Sequence, residues 1–129
     1  NVKSLIVLII IILSSIIISC NKSNNTQLKT SISVIDFKNK VDNNEILNII
    51  DVRSESEYLG PVGNIPNSQL VPLPSIANFL NDLKNLDGEV YVVCLSGKRS
   101  SIAAKLLRAN NINALNIEGG MLAWNKLSQ

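Results

Sequence analysis

The sequence has 129 residues, room for one domain of ordinary size. It carries 12 Lys+Arg against 10 Asp+Glu, a net charge of +2, and 46% of it is hydrophobic. That balance excludes a nucleic-acid binder that works by neutralising many phosphates, and it excludes a disordered chain.

Residue types narrow the chemistry further. There is no histidine, so a His-based triad, a His general base and a His-ligated metal are all impossible. Two cysteines, Cys20 and Cys94, are too few for a disulfide scaffold or a cysteine zinc site. Catalysis must run on a carboxylate, a hydroxyl, a lysine or a thiol, and no metal or other cofactor is implied.

At the N-terminus, Lys3 precedes an apolar run from Leu5 to Ile18 that only Ser14 and Ser15 interrupt. As a helix this run reaches about 21 Å, short of the roughly 30 Å hydrocarbon core of a bilayer. A positive residue, a short apolar stretch and a small residue near its end describe a secretory signal over residues 1–19. The sequence opens on Asn1, so its true start is expected upstream. The segment closes Ile17-Ile18-Ser19-Cys20, which resembles the bacterial lipobox. The resemblance implies a diacylglycerol on the Cys20 thiol, cleavage that makes Cys20 the mature N-terminus, and an exported lipoprotein held at a membrane of the cell envelope. The alternative is a short uncleaved anchor with an incidental cysteine, and either reading exports the domain. From Asn21 to Ser33 the chain is polar, rich in Asn, Ser, Thr and Lys, and is expected to be a flexible spacer.

Residues 34–129 divide into alternating elements without an internal repeat. Ile46 to Ile50 is a short apolar run ending at Asp51, which suits a buried strand, and Gln69-Leu70-Val71 is another, stopped by Pro72. Between Ser75 and Leu86, the spacing of Ile76, Phe79, Leu80 and Leu83 predicts a helix with Ser75 as its cap. Glu89 to Val93, β-branched and aromatic, is the strongest strand. A helix over Ser100 to Asn110 is expected to bury Ile102, Ala103, Leu106 and Leu107, with Asn110 and Asn111 at its end. Ala114 to Ile117 is a further strand, Gly119-Gly120 a turn, and Met121 to Leu127 a last helix. This alternation predicts an α/β fold with a mostly parallel sheet and helices on both faces.

Cys94 falls at the C-terminal end of the strongest strand, where open α/β sheets bind ligands. Leu95-Ser96-Gly97-Lys98-Arg99 then leads into a helix. A strand, a tight glycine loop and a helix N-terminus make an anion cradle, because successive N–H groups converge and the helix dipole adds positive charge. Such a cradle lowers a thiol's pKa, so no histidine base is needed. Lys98 and Arg99 add charge that attracts an anionic substrate. Ser96 and Ser100 read as loop and cap residues, Asp51 and Arg53 as structural groups, and Gly119, Gly120 and Trp124 as turn and packing residues.

The segment from Cys94 to Ser100 resembles the active-site loop of single-domain rhodaneses, the thiosulfate sulfurtransferase family. Ile50-Asp51-Val52-Arg53, Glu57-Tyr58 and Gly63 to Ser68 are similar to that family's upstream signature, and Ile117 to Gly120 with Ala123-Trp124 to its C-terminal one. Asn64, where the family often has histidine, and Gly60-Pro61-Val62, which reads as an insertion, depart from the pattern. The resemblance implies a rhodanese-like three-layer domain and a sulfur relay. In that relay Cys94 takes the outer sulfur of thiosulfate as a persulfide, releases sulfite, and gives the sulfur to cyanide or another thiol. The N–H groups of Leu95, Ser96, Gly97, Lys98 and Arg99 would hold the anions, with Asp51 placed near the loop. Related phosphatases and arsenate reductases of this fold carry five residues between cysteine and arginine; here there are four. The remaining alternative is a persulfide carrier or sulfur-sensing interaction module with little turnover.

Metabolic labelling with a fatty acid should mark the full-length protein and fail in Cys20→Ala; label retained in that variant would contradict lipidation at Cys20.

Overall fold

A computed structural model describes residues 1–18 and 27–129. Helix α1 spans Val2–Ile18, and among the described residues no helix is long and apolar enough to cross a membrane. Cys20 and the spacer as far as Thr26 lie outside the described residues.

The ordered domain begins earlier than the sequence pattern suggests. Ser31–Ile32 forms strand β1, inside the expected spacer; it pairs in parallel with the later strand Ala114–Ile117, and Ile32 is buried. A strand of two residues leaves no periodicity to detect. Helix α2, Val34–Asp42, follows directly. Its N-cap is Ser33, whose hydroxyl accepts the Asp36 N–H at 3.1 Å and satisfies one of the helix's free donors.

After α2 come β2 (Asn48–Asp51), α3 (Glu55–Tyr58) and β3 (Gln69–Leu70). A 3₁₀ segment, Leu73–Phe79, then leads to α4 (Leu80–Lys84), β4 (Val90–Val93), α5 (Lys98–Ala109), β5 (Ala114–Ile117) and α6 (Gly120–Leu127). The five strands lie in the order β1-β5-β4-β2-β3, all parallel. Every residue of β4 is buried, as its run of Val and Tyr requires of a central strand covered on both faces.

Alternation along β2 and β4 creates two cores. Ile50, Val52, Val90, Val92 and Cys94 face Ile76, Leu83, Ala103 and Leu107 of the 3₁₀ segment, α4 and α5. Ile49, Tyr91, Val93 and Leu115 face Phe37 of α2 and Met121 and Trp124 of α6. The Phe37 ring lies 5.2 Å from Tyr91 and 6.0 Å from Trp124, tilted against both as their quadrupoles favour. The sheet is therefore covered on both faces, as expected.

Several expected elements differ from the pattern, and α6 opens at Gly120, which the sequence reads as part of a turn. β2 starts at Asn48, because Ile46 is fully exposed and not part of the buried run. The helix expected from a Ser75 cap is a 3₁₀ segment that starts at Leu73 after Pro72, with a proline in its first turn and no side-chain cap. Phe79, at φ −102° and ψ 1°, separates it from α4. Helix α5 opens at Lys98, two residues early. It buries Ser100, Ala103, Ala104 and Leu107, while Ile102 is 63% exposed and Leu106 39% exposed. Small residues at 100, 103 and 104 let α5 lie close to the sheet, and that close approach selects the buried stripe over side-chain hydrophobicity.

Leu107→Ala should therefore cost about 2–5 kcal/mol in urea unfolding, while Ile102→Ala should stay within about 0.5 kcal/mol. Equal losses would contradict the assigned helix face.

Candidate active site

From β4 the chain passes through α5 to β5 on one side, and from β2 it passes to β3 on the other. The ends of β4 and β2 thus flank a topological switch point, where loops diverge and leave a crevice. Cys94 follows β4, and Asp51 ends β2 with Arg53 two residues on.

Two helix N-termini shape the loop after β4. The N–H groups of Met121 and Leu122, in the first turn of α6, donate to the carbonyls of Cys94 and Leu95 at 2.9 and 3.1 Å. In a trans peptide the N–H points opposite to the carbonyl. Tying these two carbonyls toward α6 therefore turns the N–H groups of Leu95 and Ser96 away from α6. Gly120 makes this contact possible: a Cβ there would lie 2.4 Å from the Cys94 carbonyl oxygen and 2.6 Å from that of Leu95. On the other side Gly97, at φ +95°, caps α5, which has no side-chain cap and no acidic residue in its first turn.

The Cys94 sulfur occupies the resulting cradle. Gly97 N–H donates to Sγ at 3.1 Å and the Ser100 hydroxyl at 3.3 Å. Burial by itself pushes the thiol up, since Cys94 is only 1% exposed. Hydrogen bonds from the Ser100 hydroxyl and from the backbone of Ser100, Gly97 and Ser96 outweigh it, so the pKa lies below its ordinary value. The Ser100 hydroxyl also lies 2.6 Å from Asn116 Oδ1. One hydroxyl proton serves one acceptor at a time. With the Asn116 amide reversed, its NH₂ donates to Ser100 Oγ and frees that proton for the sulfur.

Around the cradle the charges are paired. Asp51 and Arg53 are completely buried; Arg53 Nε lies 3.0 and 3.1 Å from the two carboxylate oxygens and Nη2 2.8 Å from Oδ2. Arg53 also donates to the carbonyls of Glu57 and Gly63, which ties the segment after α3 to the end of β2. Arg99 donates to both oxygens of Glu57 at 2.8 and 2.6 Å. The bond from Arg99, with further bonds from Ser54, holds the Glu57 carboxyl down to about 2, and Glu57 in turn raises Arg99.

The structure thus brings Cys94, Leu95, Ser96, Gly97, Arg99 and Ser100 together, with Asp51 and Arg53 behind them. Ser96 and Lys98 are exposed, and Lys98 joins no ion pair among the described residues. Cys20 lies outside those residues, and among them no group of His, Cys, Asp or Glu could hold a metal ion. The sequence assigns no site role to Glu57, although it lies in the upstream signature, and does not single out Asn116. The capping box of Ser54 with Glu57 explains the glutamate locally, and nothing in the pattern links it to Arg99 forty-two residues later. Asn116 lies on β5 and meets Ser100 only through the sheet.

Comparison with known proteins gives concordant matches. The rhodanese-like domain family matches residues 33–127. A Bacillus subtilis protein named as a sulfur carrier protein, YrkF, is 36% identical over 105 residues, covering 81% of this chain. This chain spans 55% of that relative's length. A second B. subtilis protein, named as a sulfurtransferase, YtwF, is 34% identical over 93 residues, which is 72% of this chain and 87% of the relative. The crystal structure of a rhodanese-like domain protein from Staphylococcus aureus is 40% identical, with a TM-score of 0.67 over 74% of this chain and 90% of the other.

Removing the Ser100 hydroxyl should raise the Cys94 pKa. In Ser100→Ala, the pH profile of Cys94 alkylation is expected to move to higher pH; an unmoved profile would show that the backbone alone holds the thiolate.

Proposed function

The chain belongs to the rhodanese-like domain family, and from that premise we propose that it is a sulfurtransferase working through a persulfide on Cys94. The Cys94 thiolate attacks the sulfane sulfur of thiosulfate or a similar donor; a new S–S bond forms, the old one breaks, and sulfite leaves with the electron pair. The terminal persulfide sulfur is then held by the same N–H groups that hold the thiolate. A thiophilic acceptor, a thiol or cyanide, attacks that sulfur and restores the thiolate, a ping-pong sequence of two displacements.

The observation that carries this reading is the convergence of Gly97 N–H and Ser100 Oγ on the Cys94 sulfur, at 3.1 and 3.3 Å. It favours the thiolate over the thiol with no general base, in a chain that has no histidine. Four residues between Cys94 and Arg99 favour a sulfur acceptor over the wider loop of the oxyanion-handling relatives. The name of the B. subtilis relative YrkF favours a second reading, in which Cys94 carries the persulfide to a partner with little turnover. In either case we place the domain outside the cytoplasm, anchored to a membrane of the cell envelope by lipid on Cys20.

Intact-mass measurement tests the relay. Wild-type protein treated with thiosulfate should gain one sulfur, lose it on adding cyanide, and show no gain in Cys94→Ser. Fast, repeated loss and regain supports the enzyme, and a persulfide that persists in excess cyanide supports the carrier. A wild type that gains no sulfur from thiosulfate would contradict thiosulfate as the donor.

A further inference from the structure

The donors to the Cys94 sulfur are of two kinds. The Gly97 N–H is fixed by the backbone, whereas the Ser100 hydroxyl rotates and its single proton has a second claimant. That claimant is Asn116, whose Oδ1 lies 2.6 Å from Ser100 Oγ, against 3.3 Å from Oγ to Sγ. With the amide oxygen toward Ser100, the shorter bond takes the proton and Oγ offers the sulfur only lone pairs. Such an Oγ can accept from a thiol but gives nothing to a thiolate.

Asn116 is placed to turn. Side chains alternate along β5, so Asn116 shares the α5-facing side with the buried Ala114 and meets Ser100 there. Its Nδ2 bonds to no other group among the described residues, yet no side-chain polar atom among them is buried without a partner. Nδ2 therefore touches solvent. Half a turn of the carboxamide exchanges two atoms of nearly equal size, puts Oδ1 where water reaches it, and strands neither. The charged groups nearby are Lys98 and Arg99 of α5, Asp51 and Arg53 around the end of β2, Glu57 of α3, and Glu118 just past β5. Arg99 pairs with Glu57, Arg53 with Asp51, and Glu118 accepts from the Ser31 hydroxyl. Among the described residues none of the six bonds to Sγ, to Ser100 Oγ or to the Asn116 amide.

We propose that Asn116 is a positioning residue for Cys94, its amide turning with the state of the sulfur. Nδ2 donates to Ser100 when the sulfur is a thiolate, so that the hydroxyl donates to Sγ; Oδ1 accepts from Ser100 when the sulfur carries a proton or a second sulfur. The thiolate half stands on the free cysteine, and the persulfide half rests on the sulfur-relay reading and deepens it. In the persulfide the charge sits on the terminal sulfur and Sγ needs no donor. When cyanide attacks that terminal sulfur, a carbon–sulfur bond forms, the S–S bond breaks, and its electron pair returns to Sγ, giving thiocyanate and the thiolate. The amide turns as the charge comes back, and the hydroxyl meets the leaving sulfur.

Alkylation of Cys94 by iodoacetamide in the full-length chain, followed against pH by peptide mass mapping, reads the thiolate half without any sulfur transfer. In Asn116→Asp the side chain only accepts at neutral pH, so the Ser100 proton goes to the carboxylate. The rate below the midpoint should fall about three- to tenfold, as one lost hydrogen bond to the thiolate implies. Asn116→Ala should lose less, because no rival acceptor holds the proton. Equal losses in the two variants would mark a packing role and overturn the proposal. Asn116→Asp should also act more weakly in a Ser100→Ala background than in wild type. Equal effects in both backgrounds would make the new charge, and not the hydroxyl, responsible, and would overturn it as well.

Wild-type protein supplies a check that misfolding of a variant cannot spoil. In NMR spectra of isotope-labelled protein, the Asn116 side-chain NH₂ signals should titrate together with Cys94, and signals that ignore the Cys94 midpoint would overturn the turning amide. Single-turnover discharge of the persulfide by cyanide should slow in Asn116→Asp, and less in Asn116→Ala; a discharge rate that Asn116→Asp leaves unmoved would overturn the persulfide half. A chain that shows the alkylation and NMR pattern but takes up no sulfur would overturn the relay, and the persulfide half with it, while supporting the thiolate half. Normal sulfur uptake without that pattern would overturn the role of Asn116 and leave the relay standing.

Discussion

Two hydrogen bonds from the first turn of α6 to the carbonyls of Cys94 and Leu95 determine which way the loop after β4 faces. A helix start has four N–H groups without intrahelical partners, and a strand end has carbonyls that have run out of neighbours. Here each satisfies the other. The consequence is directional: with those carbonyls committed to α6, the N–H groups that follow turn to the loop's other side, where those of Ser96 and Gly97 reach the sulfur. Gly120 is required at this junction because even one methyl group would collide with both carbonyl oxygens. Helix α6, which carries no reactive side chain to the site, is thus what turns the loop's donors toward the sulfur.

The electrostatics follow from burial. A thiol that is 1% exposed should resist ionisation, and burial does push Cys94 in that direction. Fixed donors reverse it, because dipoles already oriented by the fold stabilise a thiolate without the reorganisation that water would need. The buried Asp51–Arg53 pair works differently. Each partner left alone would be a strongly destabilising charge, so the pair is held with every polar atom engaged, and Arg53 uses its remaining donors to fix the carbonyls of Glu57 and Gly63. That positions Glu57 opposite Arg99 across the crevice. A charge pair deep in the sheet therefore sets the place of a second pair at its mouth.

Local signals made much of this legible. The central strand, β5 and Cys94 at the loop's start are each carried by short runs of neighbouring residues, and the structure places them where the pattern does. Features that depend on contacts between distant segments were not legible. β1 is only two residues long and is a strand because β5 lies beside it. In α5 the exposed Ile102 and Leu106 outweigh Ser100 and Ala104 on any hydrophobicity scale, yet close helix–sheet approach buries the small pair. Ser100 reads as an ordinary helix-start serine until the fold turns its hydroxyl to Sγ. Glu57 and Asn116 have sufficient local roles in their own elements, so nothing in the one-dimensional pattern marks them as neighbours of the nucleophile's loop.

The folded loop, and not the thiol's own chemistry, brings the Cys94 pKa down. The most direct measurement is the pH dependence of alkylation at Cys94, followed by peptide mass mapping in the folded protein and again in the urea-unfolded chain. The cradle predicts a midpoint at lower pH in the folded protein than in the unfolded one. A folded midpoint equal to or above the unfolded value would mean that burial prevails over the converging donors, and that Cys94 is a core cysteine at a strand end.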